Sequence, residues 1–369
     1  MSSNGSGMGH LTRLLALGRR ASTGTEVSVV SMSSAVAQAV PAGMPYQYVP
    51  SADDMGVSAR RWNVVLHRRL GAAIEQADPD VLVFDGTYPY RAVAEARRDH
   101  PRLRLVWSRR PMWKPGIGAR QLALTRQFDL VLEPGELAAA YDAGLTVGRR
   151  DALPVRPVTL LDQDEVLPAV RARRELDLDP AVPTALVTLG AGSWQDVDSE
   201  LGGIVRALRR RVPDVEVCLV RPSIARSTST GHGVRSLSLS PLSRYLAAFD
   251  VVVTAAGYNT FHETVAFGGA GAFVGVQAQL DDQPRRARWA RDHGVGLELD
   301  PRQPASREAL GDLVADAGLR ERLRTRSAEM WPGNGAAEAM AAVEAVARGG
   351  DAVEARRARD AVRAAAGQP

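Results

Sequence analysis

Short apolar runs alternate with amphipathic helical segments through almost the whole chain, and this pattern constrains the fold more than any other feature. In the first half the apolar runs of strand length are Val27–Met32, Val81–Phe84, Leu103–Trp107 and Leu130–Leu132. In the second half they are Ala185–Leu189, Val215–Val220, Val251–Thr254 and Ala272–Val276. Strands that are separated by helices, rather than by tight turns, indicate parallel sheets. The sequence therefore predicts an α/β protein.

Two α/β domains fit into a chain of 369 residues, because each half is long enough for its own hydrophobic core. The proline-punctuated segment Leu153–Pro168 interrupts the alternation and is interpreted as the interdomain linker. The predicted fold is two Rossmann-like, doubly wound parallel-sheet domains. The predicted boundaries are 1–155 for the first domain, 156–348 for the second and 349–369 for a C-terminal tail.

Composition argues against several kinds of site and partner. A single cysteine, Cys218, excludes an internal disulfide and a cysteine-based zinc cage. No spacing of His, Asp and Glu is typical of a metal site, so neither a metal nor another cofactor is expected. The net charge is +4, but the arginines are spread along helices among acidic residues, which argues against nucleic acid as a partner.

The sequence also bears on location. No apolar run approaches the roughly 20 residues that span a bilayer. The segment Met1–His10 is polar and glycine-rich, unlike a secretory signal. These features predict a cytoplasmic protein and leave open a peripheral contact with the inner face of the membrane.

The glycine-rich turn near the start lacks the apolar strand that precedes such a turn in a βα unit. Only the residues Met1–Asn4 stand before Gly5. The central strand of the first sheet is therefore expected to be nearly absent. Either translation begins upstream or the first domain is built without this strand, and the first explanation is favoured.

That turn is the first candidate site. Gly5, Gly7 and Gly9 allow the backbone to turn tightly and to approach a ligand closely. The helix that begins near His10 directs its positive end toward the same space. A plain βα turn with a surface histidine explains this segment equally well.

The second candidate site follows an apolar strand at Gly257. The next residues, Tyr258, Asn259 and Thr260, open a helix whose first amides have no intrahelical acceptors. Such a helix start suits a diphosphate that is bound without a metal. Glu263, one turn further, is placed to accept hydrogen bonds from ribose hydroxyls. The structural alternatives are a helix cap by Asn259 or Thr260, and a first-turn acid at Glu263 that complements the helix dipole.

The third candidate site lies at Asp282 and Gln283, after another predicted strand. Carboxylate and amide groups at the carboxyl end of a strand are suited to sugar hydroxyls, because each group can form two hydrogen bonds. An N-terminal helix cap by Asp281 or Asp282 is the simpler interpretation of this segment taken alone.

Taken together, these segments resemble the GT-B glycosyltransferases, and in particular family twenty-eight, which contains the peptidoglycan N-acetylglucosaminyltransferase. The resemblance covers most of the chain and is most specific between Phe249 and His293. The motifs that carry it are Gly9-His10, the Ala-Gly-x-x-Thr-x-x-Glu pattern from Ala256 to Glu263, and Asp282-Gln283.

The resemblance implies an enzyme that moves a hexose-type sugar from a nucleotide diphosphate donor, expected to be a UDP-sugar, to an acceptor hydroxyl. It implies inversion at the anomeric carbon without a metal ion. The N-terminal domain would bind the acceptor and the C-terminal domain the donor, facing each other across a cleft. A lipid-linked acceptor and a small secondary metabolite both stay open.

The resemblance also implies roles for individual residues. His10 corresponds to the base that takes the acceptor's proton. Asp85, at the end of a predicted strand, is its natural partner, because a carboxylate orients an imidazole and raises its basicity. Arg156 resembles the linker arginine that faces the donor phosphates. Gly192 and Ser193 resemble the glycine turn that opens the second domain.

An aromatic and basic stretch in the first half contains Trp107, Arg109, Arg110 and Trp113. Tryptophans beside guanidinium groups suit a glycosylated or phosphorylated acceptor, or a lipid head group. A place for Trp107 in the hydrophobic core is an equally good interpretation.

Two other functions remain possible on the same architecture. A sugar-nucleotide 2-epimerase would use the donor site but would form its product without an acceptor. A non-catalytic sugar-nucleotide binder would retain donor affinity without turnover. Fold alone does not decide among the three.

Overall fold

The computed structural model describes residues 1–3, 7–189, 197–220 and 233–367. Its strands are β1 (Val29–Ser31), β2 (Tyr46–Tyr48), β3 (Val81–Asp85), β4 (Arg104–Ser108), β5 (Leu130–Pro134), β6 (Leu153–Val155), β7 (Thr184–Thr188), β8 (Glu216–Val220), β9 (Arg235–Leu237), β10 (Val251–Ala255), β11 (Ala270–Val274) and β12 (Gly296–Leu299).

The α-helices alternate with these strands over most of the chain. They are α1 (Gly9–Gly18), α2 (Val36–Ala39), α3 (Ala59–Ala77), α4 (Arg91–Asp99), α5 (Ala119–Leu122), α6 (Ala169–Glu175), α7 (Val197–Arg211), α8 (Tyr258–Phe267), α9 (Gln283–Asp292), α10 (Pro304–Ala315), α11 (Ala317–Met330), α12 (Ala336–Ala347) and α13 (Ala352–Ala365).

The chain divides into two compact units. Unit 1 comprises Met1–Glu136, Ala143–Leu160 and Asn334–Pro369, and unit 2 comprises Leu137–Asp142 and Leu161–Gly333. Every strand pairing in both units is parallel. The two doubly wound parallel-sheet units confirm the predicted fold class.

Residues at the start of the chain hold the central position of the unit 1 sheet. Ser2 forms parallel bridges to both Ser31 and Asp85, so it lies between the β1–β2 pair and the β3–β4–β5–β6 sheet. The backbone amide of Ser2 donates to the carbonyl of Val30, and that of Ser3 donates to the carbonyl of Asp85. The expectation of a nearly absent central strand is confirmed, because three residues take its place. An upstream start stays a prediction.

Unit 2 contains a six-stranded sheet in the order β12-β11-β10-β7-β8-β9. Numbered from β7, this is the 3-2-1-4-5-6 order of a Rossmann domain, which reverses direction between β7 and β10. The central strand β10 is a run of β-branched residues that is buried from Val251 to Thr254. Such a run, apolar on both faces, is typical of a parallel strand covered by helices on each side.

The observed units differ from the predicted domain boundaries at the C-terminus. The prediction assigned residues 156–333 and 334–348 to one domain, whereas α12 and α13 belong to unit 1. The apolar side chains of α12 pack in one core with those of β4, β5 and β6. The tail 349–369 is likewise helical in its described part. Hydrophobic contact made by distant segments, rather than chain order, thus decides the division.

The predicted linker also contains an element that the sequence pattern did not reveal. Leu153–Val155 forms β6 and pairs with β5 at the edge of the unit 1 sheet. Pro154 faces solvent in this strand, a position that tolerates proline because an edge strand needs hydrogen bonds on one side only. In the described part of the chain, no helix combines the length and the apolar character that crossing a membrane requires.

Candidate active site

His10 and Asp85 meet at the carboxyl edge of the unit 1 sheet. His10 is the second residue of α1 and Asp85 is the last residue of β3, beside the bridging residue Ser2. This is the point at which the strand order reverses, where open α/β sheets bind their ligands. The His10 Nδ1 atom lies 2.6 Å from Asp85 Oδ1. The structure therefore brings together the two residues that were proposed as the catalytic pair.

Two further residues complete the surroundings of Asp85. Arg13 Nε donates to Asp85 Oδ2 at 3.0 Å, and Arg13 Nη2 donates to Oδ1 at 2.6 Å. The Ser108 hydroxyl, at the end of β4, donates to Oδ2 at 2.7 Å. Sequence reasoning missed both residues. Arg13 stands three positions after His10 and so shares its helical face, which is the one signal that could have pointed to it.

Burial and charge act in opposite directions on the Asp85 carboxyl. Asp85 has no exposed surface, and this burial alone would raise its pKa. The Arg13 guanidinium and the hydrogen bond from His10 outweigh burial and hold the pKa of Asp85 well below its usual range. Asp85 is therefore a permanent carboxylate at neutral pH.

The His10 ring stays neutral because it is desolvated. Burial lowers the pKa of His10, and its hydrogen bond to Asp85 offsets only part of that effect. Since Asp85 is ionised, Nδ1 carries the proton that it donates to the carboxylate. Among the described residues, the other ring nitrogen, Nε2, has no hydrogen-bond partner. The side chain keeps 15% of its surface exposed, which leaves the ring accessible to a small molecule.

The corresponding switch point of unit 2 lies after β7 and β10. Gly257 is the N-terminal cap residue of α8, and it has no side chain that could bond the first amides of the helix. Tyr258 is buried there, whereas Asn259 and Thr260 are half-buried. A helix start in this position carries a partial positive charge and suits an anionic group. Gly192 and Ser193, predicted to follow β7, lie outside the described residues.

Gln283 lies beside this helix start. A Cβ atom placed on Gly257 would be 3.9 Å from Gln283 Nε2 and 3.8 Å from Thr260 Oγ1. The structure thus brings two of the predicted donor segments together within unit 2. The Gln283 Oε1 atom is buried and has no hydrogen-bond partner among the described residues. A buried acceptor of this kind is suited to a ligand hydroxyl, since leaving it unpaired costs free energy.

Asp282 caps a helix, as the simpler interpretation of its segment predicts. It is the N-cap of α9, and its carboxylate accepts from the amide of Arg285 at 3.4 Å. The Arg285 Nε atom forms an ion pair with it at 3.0 Å. Its side chain is mostly buried, and it directly precedes Gln283, the first residue of α9. A role for Asp282 in sugar binding stays a prediction.

A buried arginine that sequence reasoning missed connects these segments. Arg286 on α9 is fully buried, and its Nη1 atom donates to the carbonyl of Ala256 at 2.6 Å. Its Nη2 atom pairs with Asp281 Oδ1 at 3.2 Å. Arg286 therefore fixes the backbone immediately before Gly257. Its buried position could not be read from the sequence, where it stands among other arginines.

The first turns of α8 carry the remaining predicted donor residue. Glu263 is only 7% exposed, more buried than a carboxylate that merely complements a helix dipole in solvent. His262 is fully buried, with Nδ1 2.7 Å from the carbonyl of Tyr258 and Nε2 accepting from the amide of Leu137 at 3.2 Å. That pattern fits a neutral imidazole that braces the start of α8.

Arg156, the predicted phosphate-facing arginine, forms an ion pair within unit 1. Its Nε atom donates to Glu338 Oε1, and its backbone amide donates to Glu338 Oε2. Glu338 is fully buried and also accepts from Arg363. Gly335 packs so closely here that a Cβ atom would be 2.1 Å from the carbonyl oxygen of Arg156. The structure thus gives Arg156 a structural contact, and its role toward the donor stays a prediction.

The tryptophans do not form an acceptor platform. Trp107 and Trp113 have 0% and 1% of their surfaces exposed. The indole of Trp107 donates to the carbonyl of Gly86, and that of Trp113 donates to the carbonyl of Arg110. The core interpretation of Trp107 is correct, and the interpretation of both rings as stacking surfaces is wrong. Trp107 belongs to β4, where its ring is buried.

No group of three or more His, Cys, Asp or Glu side chains within the described ranges is arranged to hold a metal ion. Independence from metal stays a prediction that activity has to test.

No protein-family model matches this chain. The UDP-N-acetylglucosamine–N-acetylmuramyl-(pentapeptide) pyrophosphoryl-undecaprenol N-acetylglucosamine transferase of Verminephrobacter eiseniae is 32% identical over 183 residues, 49% of this chain and 45% of that protein. An anthranilate phosphoribosyltransferase of Thermomicrobium roseum is 29% identical over 152 residues, 41% and 43% of the two chains. The chain thus spans less than half the length of these curated relatives.

Solved structures match over nearly the whole length. The spinosyn rhamnosyltransferase SpnG, complexed with spinosyn aglycone, has a TM-score of 0.60 at 17% identity and covers 93% of this chain and 99% of its own. A provisionally assigned UDP-N-acetylglucosamine 2-epimerase from Listeria monocytogenes has a TM-score of 0.60 at 13% identity, covering 95% and 96%. The chain therefore has the GT-B fold and resembles family twenty-eight glycosyltransferases, as predicted.

Proposed function

We propose that this chain is an inverting, metal-independent glycosyltransferase that moves a hexose-type sugar from a nucleotide diphosphate to an acceptor hydroxyl. The proposal rests on which residues lie at the two switch points, where the strand order of each sheet reverses. In unit 1 this point holds the His10–Asp85 pair, and in unit 2 it holds the start of α8 with Gln283 beside it. A base and an anion site at the ligand-binding edges of two Rossmann-type sheets match the needs of sugar transfer.

Each step of the reaction has a group suited to it. The acceptor hydroxyl gives its proton to His10 Nε2, and its oxygen forms a bond to the anomeric carbon. The bond between that carbon and the diphosphate oxygen breaks, and the nucleotide diphosphate leaves with the electron pair. Asp85, which accepts from Nδ1, stabilises the imidazolium. The amides at the start of α8, together with the helix dipole, stabilise the negative charge of the departing diphosphate.

The donor class rests on the same helix start and on the names of similar proteins. The Verminephrobacter relative is named for a UDP-sugar, and a structure of SpnG is complexed with thymidine diphosphate. We infer a nucleotide diphosphate donor and favour UDP-sugars. The test is to incubate the protein with UDP- and TDP-hexoses and a panel of hydroxyl acceptors, and to measure release of the nucleotide diphosphate. Release that requires an acceptor, with a new glycoside detected by mass spectrometry, supports the proposal.

The second candidate is a sugar-nucleotide 2-epimerase, favoured by the similar fold of the Listeria protein. An epimerase would interconvert donor sugars in the absence of any acceptor. Exchange of solvent deuterium into the sugar at carbon 2 without an acceptor would replace the transferase proposal by this one. Donor binding without turnover in either assay would leave a sugar-nucleotide binder.

The first prediction concerns metal ions. Activity is expected to survive 5–10 mM EDTA (about a thousandfold excess over trace metal), because the α8 start and its backbone amides can balance the diphosphate charge without a cation. The measurement is the initial rate with and without EDTA, and then with added Mg²⁺ or Mn²⁺. Complete loss that either ion restores would overturn the donor-site assignment.

The second prediction concerns Glu263. Replacing it with alanine is expected to raise the donor KM about 5- to 150-fold with a smaller effect on kcat, because a ribose hydroxyl loses a buried partner worth about 1–3 kcal/mol. The control is Glu308→Ala on the exposed face of α10. If the donor KM of Glu263→Ala matches that of the control, Glu263 is a structural acid of α8.

A further inference from the structure

Arg13 binds the Asp85 carboxylate, which would otherwise raise the basicity of the His10 imidazole. The guanidinium forms a two-point contact with Asp85, through Nε at 3.0 Å and Nη2 at 2.6 Å. Both side chains are buried, with 4% of Arg13 and none of Asp85 exposed. Solvent therefore screens this pair little, and the positive charge of Arg13 offsets part of the negative charge of Asp85 at the position of the His10 ring.

This offset adds to the effect of burial and reduces the usual benefit of a histidine–carboxylate pair. When a lone carboxylate faces an imidazole, its negative charge favours the protonated ring. Here protonation of His10 would place a second positive charge beside Arg13, whose Nη2 atom is 2.8 Å from Nδ1. Arg110, which follows β4, adds a further unfavourable interaction with a charged ring. Among the described residues, the acidic group that contacts His10 is Asp85, at the end of β3. The Met1 amino group also lies beside β3, 2.6 Å from the carbonyl oxygen of Val83.

Arg13 also restricts where the His10 proton can lie. If Nδ1 were unprotonated, it could accept from Arg13 Nη2, but its lone pair would then face the ionised Asp85 Oδ1 at 2.6 Å. That arrangement is repulsive, so the proton stays on Nδ1 and Nε2 remains the free acceptor. Arg13 thereby keeps Asp85 ionised and in place, while it weakens Nε2 as a base.

We infer that Arg13 is a positioning residue that makes the His10–Asp85 pair a weak base, and that the acceptor is a compound with an acidic hydroxyl, such as a phenol or an enol. This inference rests on the proposed transferase function. The pKa of a phenol is about 10, like that of the tyrosine side chain. The pKa of an alcohol hydroxyl is about 16, close to that of water. A weak base removes the first proton far more readily than the second.

In the balanced step, the phenol O–H bond breaks and its proton moves to Nε2. The phenolate oxygen bonds to the anomeric carbon, and the nucleotide diphosphate leaves with the electron pair of the broken carbon–oxygen bond. His10 later returns the proton to solvent. Nothing beyond the acceptor and the nucleotide diphosphate donor is required.

The first test measures His10 directly and does not depend on catalysis. The pH titration of the His10 ring is followed by NMR in the full-length protein, with the signal assigned by its loss in His10→Gln. In the wild type the midpoint is expected below the ordinary value of about 6.5. In Arg13→Gln it is expected to rise by about 1–2 units, because the Asp85 charge then acts on the ring alone. Arg19→Gln, which removes an exposed arginine just after α1, is the control and is expected to leave the midpoint unchanged.

The outcomes of this titration decide the role of Arg13. A wild-type midpoint at or above 6.5, or an equal midpoint in Arg13→Gln and Arg19→Gln, overturns the inference. If Arg13→Gln does not fold, Arg13→Lys keeps the charge but loses the two-point contact. A midpoint in the lysine variant above that of the wild type then supports the inference, and an equal midpoint overturns it.

The second test addresses the acceptor class with UDP-glucose and TDP-glucose as donors. The acceptor probes are 4-methylumbelliferone and 4-nitrophenol, compared with benzyl alcohol and 2-phenylethanol. The wild type is expected to glycosylate the phenols at least about 100-fold faster, the lower end of a general-base contribution. Equal rates for phenols and alcohols overturn the acceptor class. Absence of transfer to every probe, with a His10 midpoint that still responds to Arg13, counts against the proposed function and leaves the positioning role intact.

Discussion

Replacement of His10 with alanine is expected to lower kcat about 10²–10⁴-fold while donor affinity stays unchanged. The reason is that Nε2 is the ring atom left to accept the acceptor's proton, since Nδ1 is held by Asp85 at 2.6 Å. The loss should be smaller for more acidic acceptors, which need less help in losing a proton. The measurement is kcat with a phenol and an alcohol, together with donor binding by calorimetry. His67→Ala is the control, because that histidine is paired with Asp99 on the surface of unit 1.

The pH dependence follows from the same residue. Because burial lowers the pKa of His10, kcat/KM should rise with pH along an acid limb whose midpoint lies below about 6.5. This limb should vanish in His10→Ala. If His10→Ala turns over an alcohol at the wild-type rate, His10 is not the base, and Asp85 is the next candidate.

Asp85→Asn is expected to lose less activity than His10→Ala. It is also expected to be less stable, since buried Arg13 loses its counter-charge.

Replacement of Arg286 with methionine is expected to destabilise unit 2 by about 3–5 kcal/mol. The substitution removes the buried guanidinium that pairs with the Asp281 carboxylate and donates to the Ala256 carbonyl. For a unit of this size the loss corresponds to a fall in melting temperature of about 6–20 °C. Donor affinity should fall as well, because Ala256 precedes Gly257 at the start of α8.

The control for this change is Arg288→Met, which removes the same charge from the exposed face of α9. Calorimetric melting of both variants, with and without UDP, separates the two effects. If the two variants have the same melting temperature, the buried Arg286–Asp281 pair contributes little to the stability of the fold. If Arg286→Met melts early but binds UDP like the control, the arginine supports unit 2 without shaping the donor site.

Several features of the fold and site could be predicted from the chain alone. The apolar runs that are buried on both faces gave the parallel strands, and the glycines that follow them marked the switch points. Gly257 and Gln283 were expected to serve one site, and a Cβ on Gly257 would indeed meet the Gln283 amide. Local signals sufficed here, because strand length, glycine and helix starts are properties of adjacent residues.

Other features escaped prediction because they depend on contacts between distant segments. The helix α12 joins unit 1 through hydrophobic packing on β4, β5 and β6, which chain order does not reveal. The short segment Met1–Ser3, with its bridges at Ser2, takes the place of a strand only because β1 and β3 lie on either side of it. Trp107 and Trp113 looked suited to a ligand but are inside the core.

The sequence by itself determined the fold class, because glycine turns and apolar strands are encoded locally, and the resemblance to a known family pointed to His10 as the candidate base. The tertiary structure alone decided which arginines matter. Arg13 and Arg286 are buried against the carboxylates of Asp85 and Asp281, which lie at the two candidate sites. Burial removes the solvent that screens charge, so a guanidinium that has little effect on the surface acts strongly in the interior, on the His10–Asp85 pair in unit 1 and on the backbone before Gly257 in unit 2.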